Sequence, residues 1–161
     1  MRTVLVPILG TLLLGSALLA GCDSQPAPRV ASPAAVPQEA TLEAGDTTIR
    51  ASVVQTSALN ETVAHQYGIE RGDDIVMLLV GLREGPPAEE VSVPATVTAT
   101  VTDLRGRKQV VEMRELRIGE LVDHVGTLQV SLPDTLAFEV LVERPGKPES
   151  TMRFNREFFP Q

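Results

Sequence analysis

Residues 93–102 read VPATVTATVT, and this stretch decides the fold. Small apolar side chains stand at every odd position from Val93 to Val101, while the even positions hold one proline and four threonines. Successive side chains of a strand point to opposite faces, so the pattern predicts a half-buried β-strand with a β-branched polar face. The DLRG that follows at 103–106 is typical of a turn, and residues 108–116 are predicted to return as the partner strand of a hairpin.

Other segments repeat the period of two, and turn residues separate them. Residues 75–82, IVMLLVGL, are instead apolar at both odd and even positions. This pattern predicts the central strand of a sheet that is covered on both sides. Together they give about seven strands in residues 46–161 and favour an all-β, immunoglobulin-like β-sandwich, with a small closed barrel as the alternative. The alternating segments are residues 49–53, 128–132, 136–142 and 151–159.

One short helix interrupts the strands. Asn60 is predicted to cap a helix over Glu61–Tyr67, and Gly68 follows where a left-handed cap is needed. Leu59, Val63 and Tyr67 are spaced four apart and share one helix face, which we expect to close one end of the sandwich.

The first residues of the chain form a targeting segment. After Met1-Arg2, residues 4–20 are almost wholly apolar, and this length alone allows a membrane-spanning helix. The run stops at LAGC, residues 19–22, where small residues precede the only thiol, as at a processing site. The segment resembles a bacterial lipoprotein signal with LAGC as its lipobox, and an ordinary signal peptide with an incidental cysteine is the alternative.

The resemblance implies removal of residues 1–21, a diacylglycerol on the Cys22 sulfur and acylation of the new amino terminus. One acyl chain binds a membrane reversibly, whereas three hold a protein there, so the membrane itself is the first expected partner. An Asp at position 23 resembles a signal for inner-membrane retention in some bacteria, and the choice between inner and outer membrane stays open. We expect the chain on the periplasmic side of the envelope.

A tether is predicted between this anchor and the domain, over residues 22–45. Its four prolines (Pro26, Pro28, Pro33 and Pro37) stand among Ala, Ser and Gln, and no apolar period appears. Such a composition favours extended structure that buries nothing.

Composition excludes several classes of function. The 161 residues carry 14 Lys and Arg against 21 Asp and Glu, a net charge of −7, which argues against binding to nucleic acid. A single cysteine excludes a disulfide framework and a thiolate zinc site. Five aromatic side chains are too few for a platform on which bases stack. No cofactor, metal site or catalytic residue is predicted.

The residues that could carry chemistry are few. His65 and His124 lack a second histidine at metal-ligand spacing, so each is interpreted as a surface or boundary residue. Asp123 beside His124 suggests a dyad, but neighbours on a strand point to opposite faces. A pocket that holds two or more of His65, His124, Asp73 and Asp123 would favour an enzyme.

Two acidic pairs and a threonine stripe complete the candidates. Asp73-Asp74 and Glu89-Glu90 stand beside Gly or Pro, where solvated charge is expected, although paired carboxylates can do acid–base work or bind calcium. The even-numbered threonines of residues 96–102 could pair with another chain by edge addition, but good β-formers on a wet face are the simpler interpretation.

A family resemblance covers the chain from Gly45 to its end. It is carried by VVQTSAL at 53–59, AHQYGIER at 64–71, the apolar run at 75–80 and MRFNREFF at 152–159. These stretches are similar to a family of small Gram-negative envelope domains of unknown function. The resemblance implies a β-sandwich and an envelope location, and it supplies no active site.

The predicted function is therefore a membrane-anchored, non-catalytic interaction or envelope-assembly module with an unidentified envelope protein as its partner. Two alternatives stay open: a hydrolase of an envelope polymer with a carboxylate or His site, and a carrier of a small ligand or lipid between the sheets. The carrier ranks last, because small Val and Ala core residues indicate tight packing. The oligomeric state is not predicted.

Overall fold

Two antiparallel sheets pack face to face in the computed structural model, which describes residues 38–161. The first sheet has the strand order β1-β2-β3-β8-β7, with the short β4 added beside β3, and the second has the order β10-β9-β5-β6. The strands are β1 (Gln38–Ala44), β2 (Thr47–Gln55), β3 (Ile75–Glu84), β4 (Val91–Ser92), β5 (Thr96–Thr102), β6 (Lys108–Val111), β7 (Arg114–Ile118), β8 (Leu121–Gln129), β9 (Asp134–Glu143) and β10 (Ser150–Phe158).

The predicted all-β sandwich is confirmed, and each sheet has its own edge strands, so the closed barrel is wrong. Ten strands are present in the described residues instead of about seven. Strand β1 occupies residues 38–44 of the predicted tether, so the folded part begins earlier than expected. The targeting segment, Cys22 and the rest of the tether lie outside the described residues. Within residues 38–161, no helix has the length and apolarity needed to cross a membrane.

The core between the sheets follows the period of two. The inward residues Ile49, Ala51 and Val53 of β2 are 0–6% exposed, and their neighbours are half-buried. Strand β9 contributes Phe138, whose ring stacks on Phe154 of β10 with centroids 5.1 Å apart and an angle of 9° between the planes. The predicted alternation of these strands is confirmed.

The predicted hairpin partner at 108–116 is split between the two sheets. Residues 108–111 form β6 beside β5, but the chain then crosses to the first sheet and continues as β7. The crossing is possible because β8 has a glycine beneath it. A Cβ on Gly126 would lie 2.6 Å from Val111 Cγ1 and 2.8 Å from both Glu112 O and Met113 Sδ.

The helix begins at its predicted residue and ends one residue early, and it does not lie in its predicted place. Helix α1 spans Glu61–Gln66, and the Asn60 side chain accepts hydrogen bonds from the backbone N–H of Thr62 (2.9 Å) and Val63 (3.4 Å). It does not close an end of the sandwich. It covers the outer face of the first sheet, and its buried residue is Ala64, while Val63 is 41% exposed.

This position explains why β3 is apolar on both faces. Val76, Leu78 and Val80 face the core between the sheets. Met77 and Leu79 point the other way and pack in a second apolar cluster beneath the helix. The prediction of a doubly covered central strand is therefore confirmed, and the outer cover is a helix followed by the loop that leads into β3.

Candidate functional site

A cleft of about 400 Å³ opens at one end of the sandwich, and we call it the end cleft. Both sheets contribute to it, because the end of β8 and the start of β9 meet the turn between β5 and β6 there. Its volume lies in the range of sites that take small ligands or single side chains. The residues that line it are Asp74, Val101, Asp103, Arg107, Gln109, Leu128, Gln129, Val130, Ser131, Asp134 and Leu136.

The floor of the end cleft is apolar. Val101, Leu128 and Leu136 are at most 7% exposed and belong to the core between the sheets. The floor is therefore the upper surface of a packed core, and it has the rigidity of that core.

The rim is acidic. Three aspartates and one arginine line the cleft, which gives a formal charge of −2. Asp103 accepts hydrogen bonds from the backbone N–H of Arg105 (2.9 Å) and Arg107 (2.8 Å), and the Arg107 Nε donates to its other oxygen at 2.7 Å. Burial alone would raise the pKa of Asp103, but these hydrogen bonds and the guanidinium together hold that pKa below its usual value.

The other two aspartates also fix the turns. Asp134 Oδ1 accepts from the backbone N–H of Leu104 (3.2 Å) and of Thr135 (2.8 Å), which ties the β5–β6 turn to the start of β9. Asp74 Oδ2 accepts from Gln129 Nε2 at 2.9 Å. The arrangement suits a ligand with a cationic or amide head and an apolar stem. An ionised Asp103 is a poor proton donor near neutral pH.

The interpretation as a surface residue is confirmed for His65 and is wrong for His124, which is buried. His65 is exposed on α1. His124 is 6% exposed on β8, its Nε2 lies 3.1 Å from Ala95 O, and its Nδ1 is buried without a hydrogen-bond partner. Neither histidine lines the end cleft.

Asp123 points to the opposite face of β8 from His124, as predicted. There it forms a buried ion pair with Arg83, which also donates to the carbonyls of Leu82 (3.0 Å) and Val122 (3.2 Å). The pair adjoins Gly81 in a small cavity of about 120 Å³ on the outer face of the first sheet. The suspected dyad therefore does not form.

The two members of each acidic pair have different surroundings. Asp73 is exposed, while Asp74 lines the end cleft and is the one candidate from the sequence that does so. Glu89 is exposed, whereas Glu90 accepts two hydrogen bonds from Arg50 at 3.0 and 2.8 Å. Hydrogen bonding by this guanidinium holds the pKa of Glu90 below its usual value. Among residues 38–161, no three His, Cys, Asp or Glu side chains are grouped to hold a metal ion.

The threonine stripe cannot add a strand along its second half, from Ala99 to Thr102. The even-numbered threonines of β5 are exposed or half-buried on the outer face of the second sheet, as expected. However, β5 pairs with β9 on one side and, from Ala99 to Thr102, with β6 on the other. Edge addition along that part of the strand is therefore wrong, because its backbone groups are already paired.

Asp103, Arg107 and Asp134 were not among the candidates from the sequence. Asp103 and Asp134 stand in the DLRG and PD segments, whose composition indicates turns, and Arg107 directly follows DLRG, so turn formation explained all three. The sequence does not show that the turn between β5 and β6 and the turn before β9 lie at the same end of the sandwich.

The fold and the end cleft define a small all-β sandwich domain with a ligand-sized recess. The chain belongs to the DUF4426 family, a domain of unknown function, whose family model matches residues 41–161. A comparison with curated proteins gives no significant match.

Solved structures show the same fold. A DUF4426 family protein from Pseudomonas aeruginosa PAO1 is 28% identical with a TM-score of 0.65, and the match covers 76% of this chain and 96% of that one. FetP from uropathogenic Escherichia coli strain F11 is 10% identical with a TM-score of 0.57 and covers 78% of this chain and 97% of its own. A copper-bound variant of FetP gives a TM-score of 0.56 at 10% identity, with the same coverage.

Proposed function

We propose that this chain is a lipid-anchored periplasmic protein whose sandwich is a non-catalytic binding module, and that the end cleft receives its partner. The observation that carries the proposal is the contrast within the cleft, where a rigid apolar floor lies beneath a rim of formal charge −2. A Lys or Arg side chain of an envelope protein fits this contrast, because its methylene stem can lie on the floor while its charge meets the rim.

The anchor rests on the LAGC motif at residues 19–22 and on the resemblance to lipoprotein signals. The structural neighbour FetP was expressed in the periplasm of Escherichia coli, which agrees with a periplasmic setting for the fold. Metabolic labelling with a clickable fatty acid tests the anchor directly. Label is expected on the wild-type chain and is expected to be lost in Cys22→Ser, and label retained in that variant would refute the anchor.

Site-specific photo-crosslinking in living cells tests the binding site. A photoreactive residue at Ser131, which is exposed and lines the end cleft, should capture a discrete protein partner. The matched control is the same residue at Thr98, which is exposed on the outer face of the second sheet. The adduct from position 131 should weaken when Asp74→Asn removes one rim charge. Identical bands from both positions would refute the end cleft as the binding site.

A small-ligand carrier is the second candidate, and the cleft volume of about 400 Å³ favours it. The ligand would sit at the end of the sandwich and not between the sheets, where the core is closely packed. Native mass spectrometry of protein released gently from membranes distinguishes the two, since a carrier retains a small-molecule mass that Asp74→Asn reduces. The hydrolase alternative gains no support, because the end cleft contains none of His65, His124, Asp73 and Asp123.

A further inference from the structure

Strand β10 presents a long edge of the second sheet. All nine of its residues, Ser150–Phe158, are in register with β9, from Ser150 opposite Val142 to Phe158 opposite Asp134. Among residues 38–161, β9 is its one hydrogen-bonded neighbour. An edge of this kind presents alternate N–H and C=O groups that can pair with another strand.

We propose that β10 pairs antiparallel with β10 of a second copy of this chain, with Asn155 on the two-fold axis. In this register Arg153 lies opposite Glu157 of the partner subunit on the outer face, and the symmetry forms that ion pair twice. On the inner face Met152 lies opposite the partner's Phe158, and Phe154 lies opposite the partner's Arg156. Opposite charges and aromatic side chains are favourable cross-strand pairs.

The other registers are worse for identifiable reasons. A shift by one residue would place inward side chains opposite outward ones, which the sandwich forbids. A two-fold axis at Arg153 or at Arg156 would set an arginine against its own copy. An axis at Phe154 would oppose Met152 to Arg156 and lose the Arg153–Glu157 pair. Charge and polarity therefore select one register in a self-complementary, isologous contact.

The monomer already holds the side chains where this contact needs them. Arg153 Nε lies 2.5 Å from Glu139 Oε2 on the outer face, and the Arg153 side chain is 69% exposed, so it can lie between Glu139 and Glu157 of the partner subunit. On the inner face, the Arg156 guanidinium carbon is 4.9 Å from the centroid of the Phe154 ring. A charged side chain that points inward on an edge strand prevents most strands from pairing there. The proposed register still tolerates Arg156, because it places this side chain against the Phe154 ring of the partner subunit.

Disulfide cross-linking in whole cells that express the full-length chain tests this contact, and the wild-type chain, whose only thiol is Cys22, is the control for any disulfide formed through that residue. Asn155→Cys places two thiols at the two-fold axis, where Cα atoms of paired strands are about 4.5–5.5 Å apart and within disulfide range. Thr151→Cys lies on the same strand and the same face, but its two copies are about 26 Å apart in this register, at ~3.3 Å per residue. Mild oxidation should convert Asn155→Cys to a covalent dimer and leave Thr151→Cys and wild type monomeric.

A charge exchange provides the second arm. In the Asn155→Cys background, Arg153→Glu or Glu157→Arg alone should reduce the dimer band several-fold, since each sets like charges opposite one another. The combination of both should restore part of the dimer band, because position 153 then carries a glutamate that still faces Glu139 of its own chain. Monomer alone from Asn155→Cys, equal dimer from Thr151→Cys, or a dimer indifferent to the charge exchange would each overturn the proposal. The first result is also the one expected if the segment before residue 38 occupies the edge.

Discussion

Replacing Asp123 with alanine should make the domain markedly easier to unfold, because the change leaves the Arg83 guanidinium buried without its carboxylate. The two side chains are each 10% exposed. Removing one partner of a buried ion pair costs about 3–5 kcal/mol. Arg83 keeps its hydrogen bonds to the carbonyls of Leu82 and Val122, so we expect the lower end of that range, about 3 kcal/mol.

For a domain of this size, 1 kcal/mol corresponds to about 3–5 °C in Tm, so Asp123→Ala should lower the Tm by about 10–15 °C. Far-ultraviolet circular dichroism during thermal and urea unfolding measures the change, and the absence of tryptophan makes it preferable to fluorescence. The double change Arg83→Met with Asp123→Leu removes both charges and should recover stability to within about 1 kcal/mol of wild type.

The matched control is Asp73→Ala, which removes an exposed carboxylate and should change stability by less than about 0.5 kcal/mol. The interpretation of Asp123 as a structural ion-pair partner is refuted if Asp123→Ala unfolds at the wild-type urea concentration. It is equally refuted if the double variant is no more stable than the single one. A catalytic Asp123 would instead give a variant that is folded and as stable as wild type but inactive.

Three further predictions concern the scaffold. Gly126→Ala should destabilise the domain by about 1–3 kcal/mol in urea unfolding, because its Cβ would lie within 2.8 Å of three atoms of the β6–β7 crossover; an unchanged midpoint would contradict this packing. Asn60→Ala should cost about 1 kcal/mol through loss of the helix cap, with Asn60→Ser retaining most of it. Hydrogen bonds and the Arg107 guanidinium hold the pKa of Asp103 in the folded protein below its usual value. Its contribution to stability is therefore complete above the pKa of the unfolded chain and is lost as the pH falls through the lower, folded pKa. Asp103→Asn should therefore flatten the acid limb of a stability-versus-pH curve, and a superimposable limb would refute the argument.

Strands with one buried face were predictable from the sequence. In β9 the inward Leu136, Phe138, Val140 and Val142 alternate with outward residues, and burial follows that order. The period of two is a direct consequence of the pleat, so it needs no knowledge of the partner strands. The apolar residues at both odd and even positions of β3 likewise predicted that both faces of the strand are covered. The sequence does not say which element covers the outer face.

Strands β1 and β8 were missed or misplaced because their inward positions are not uniformly apolar. Strand β8 turns His124 and Gly126 toward the core, and these residues break the apolar alternation of residues 121–129. Each has a long-range cause, since His124 contacts the carbonyl of Ala95 and Gly126 makes room for the crossover. Strand β1 is a short edge strand, and its QEATLEA has only small or half-buried apolar residues, so its composition resembles that of the tether.

The end cleft could not be predicted from the sequence, for a related reason. Asp103 and Asp134 lie 31 residues apart, and each explains a turn by itself. Their proximity arises from the pairing of β5 with β9, in which Thr102 stands opposite Ala137. No local spacing records that pairing, so the acidic rim appears only once the sheets are assembled.

The two binding surfaces proposed for this domain share one pair of strands. Asp134, on the rim of the end cleft, is the cross-strand partner of Phe158 at the end of β10. The Gln55 side chain, in turn, donates to the carbonyl of Phe159, and its oxygen accepts from Gln161, so the chain end is held against the first sheet. A partner that shifts the turn before β9 would therefore also shift the end of β10, where the proposed dimer places Phe158 opposite Met152 of the second copy. Binding in the cleft and pairing of β10 are for this reason expected to be coupled, and Asp74→Asn, which touches only the cleft, should leave the Asn155→Cys dimer intact in the absence of a bound partner.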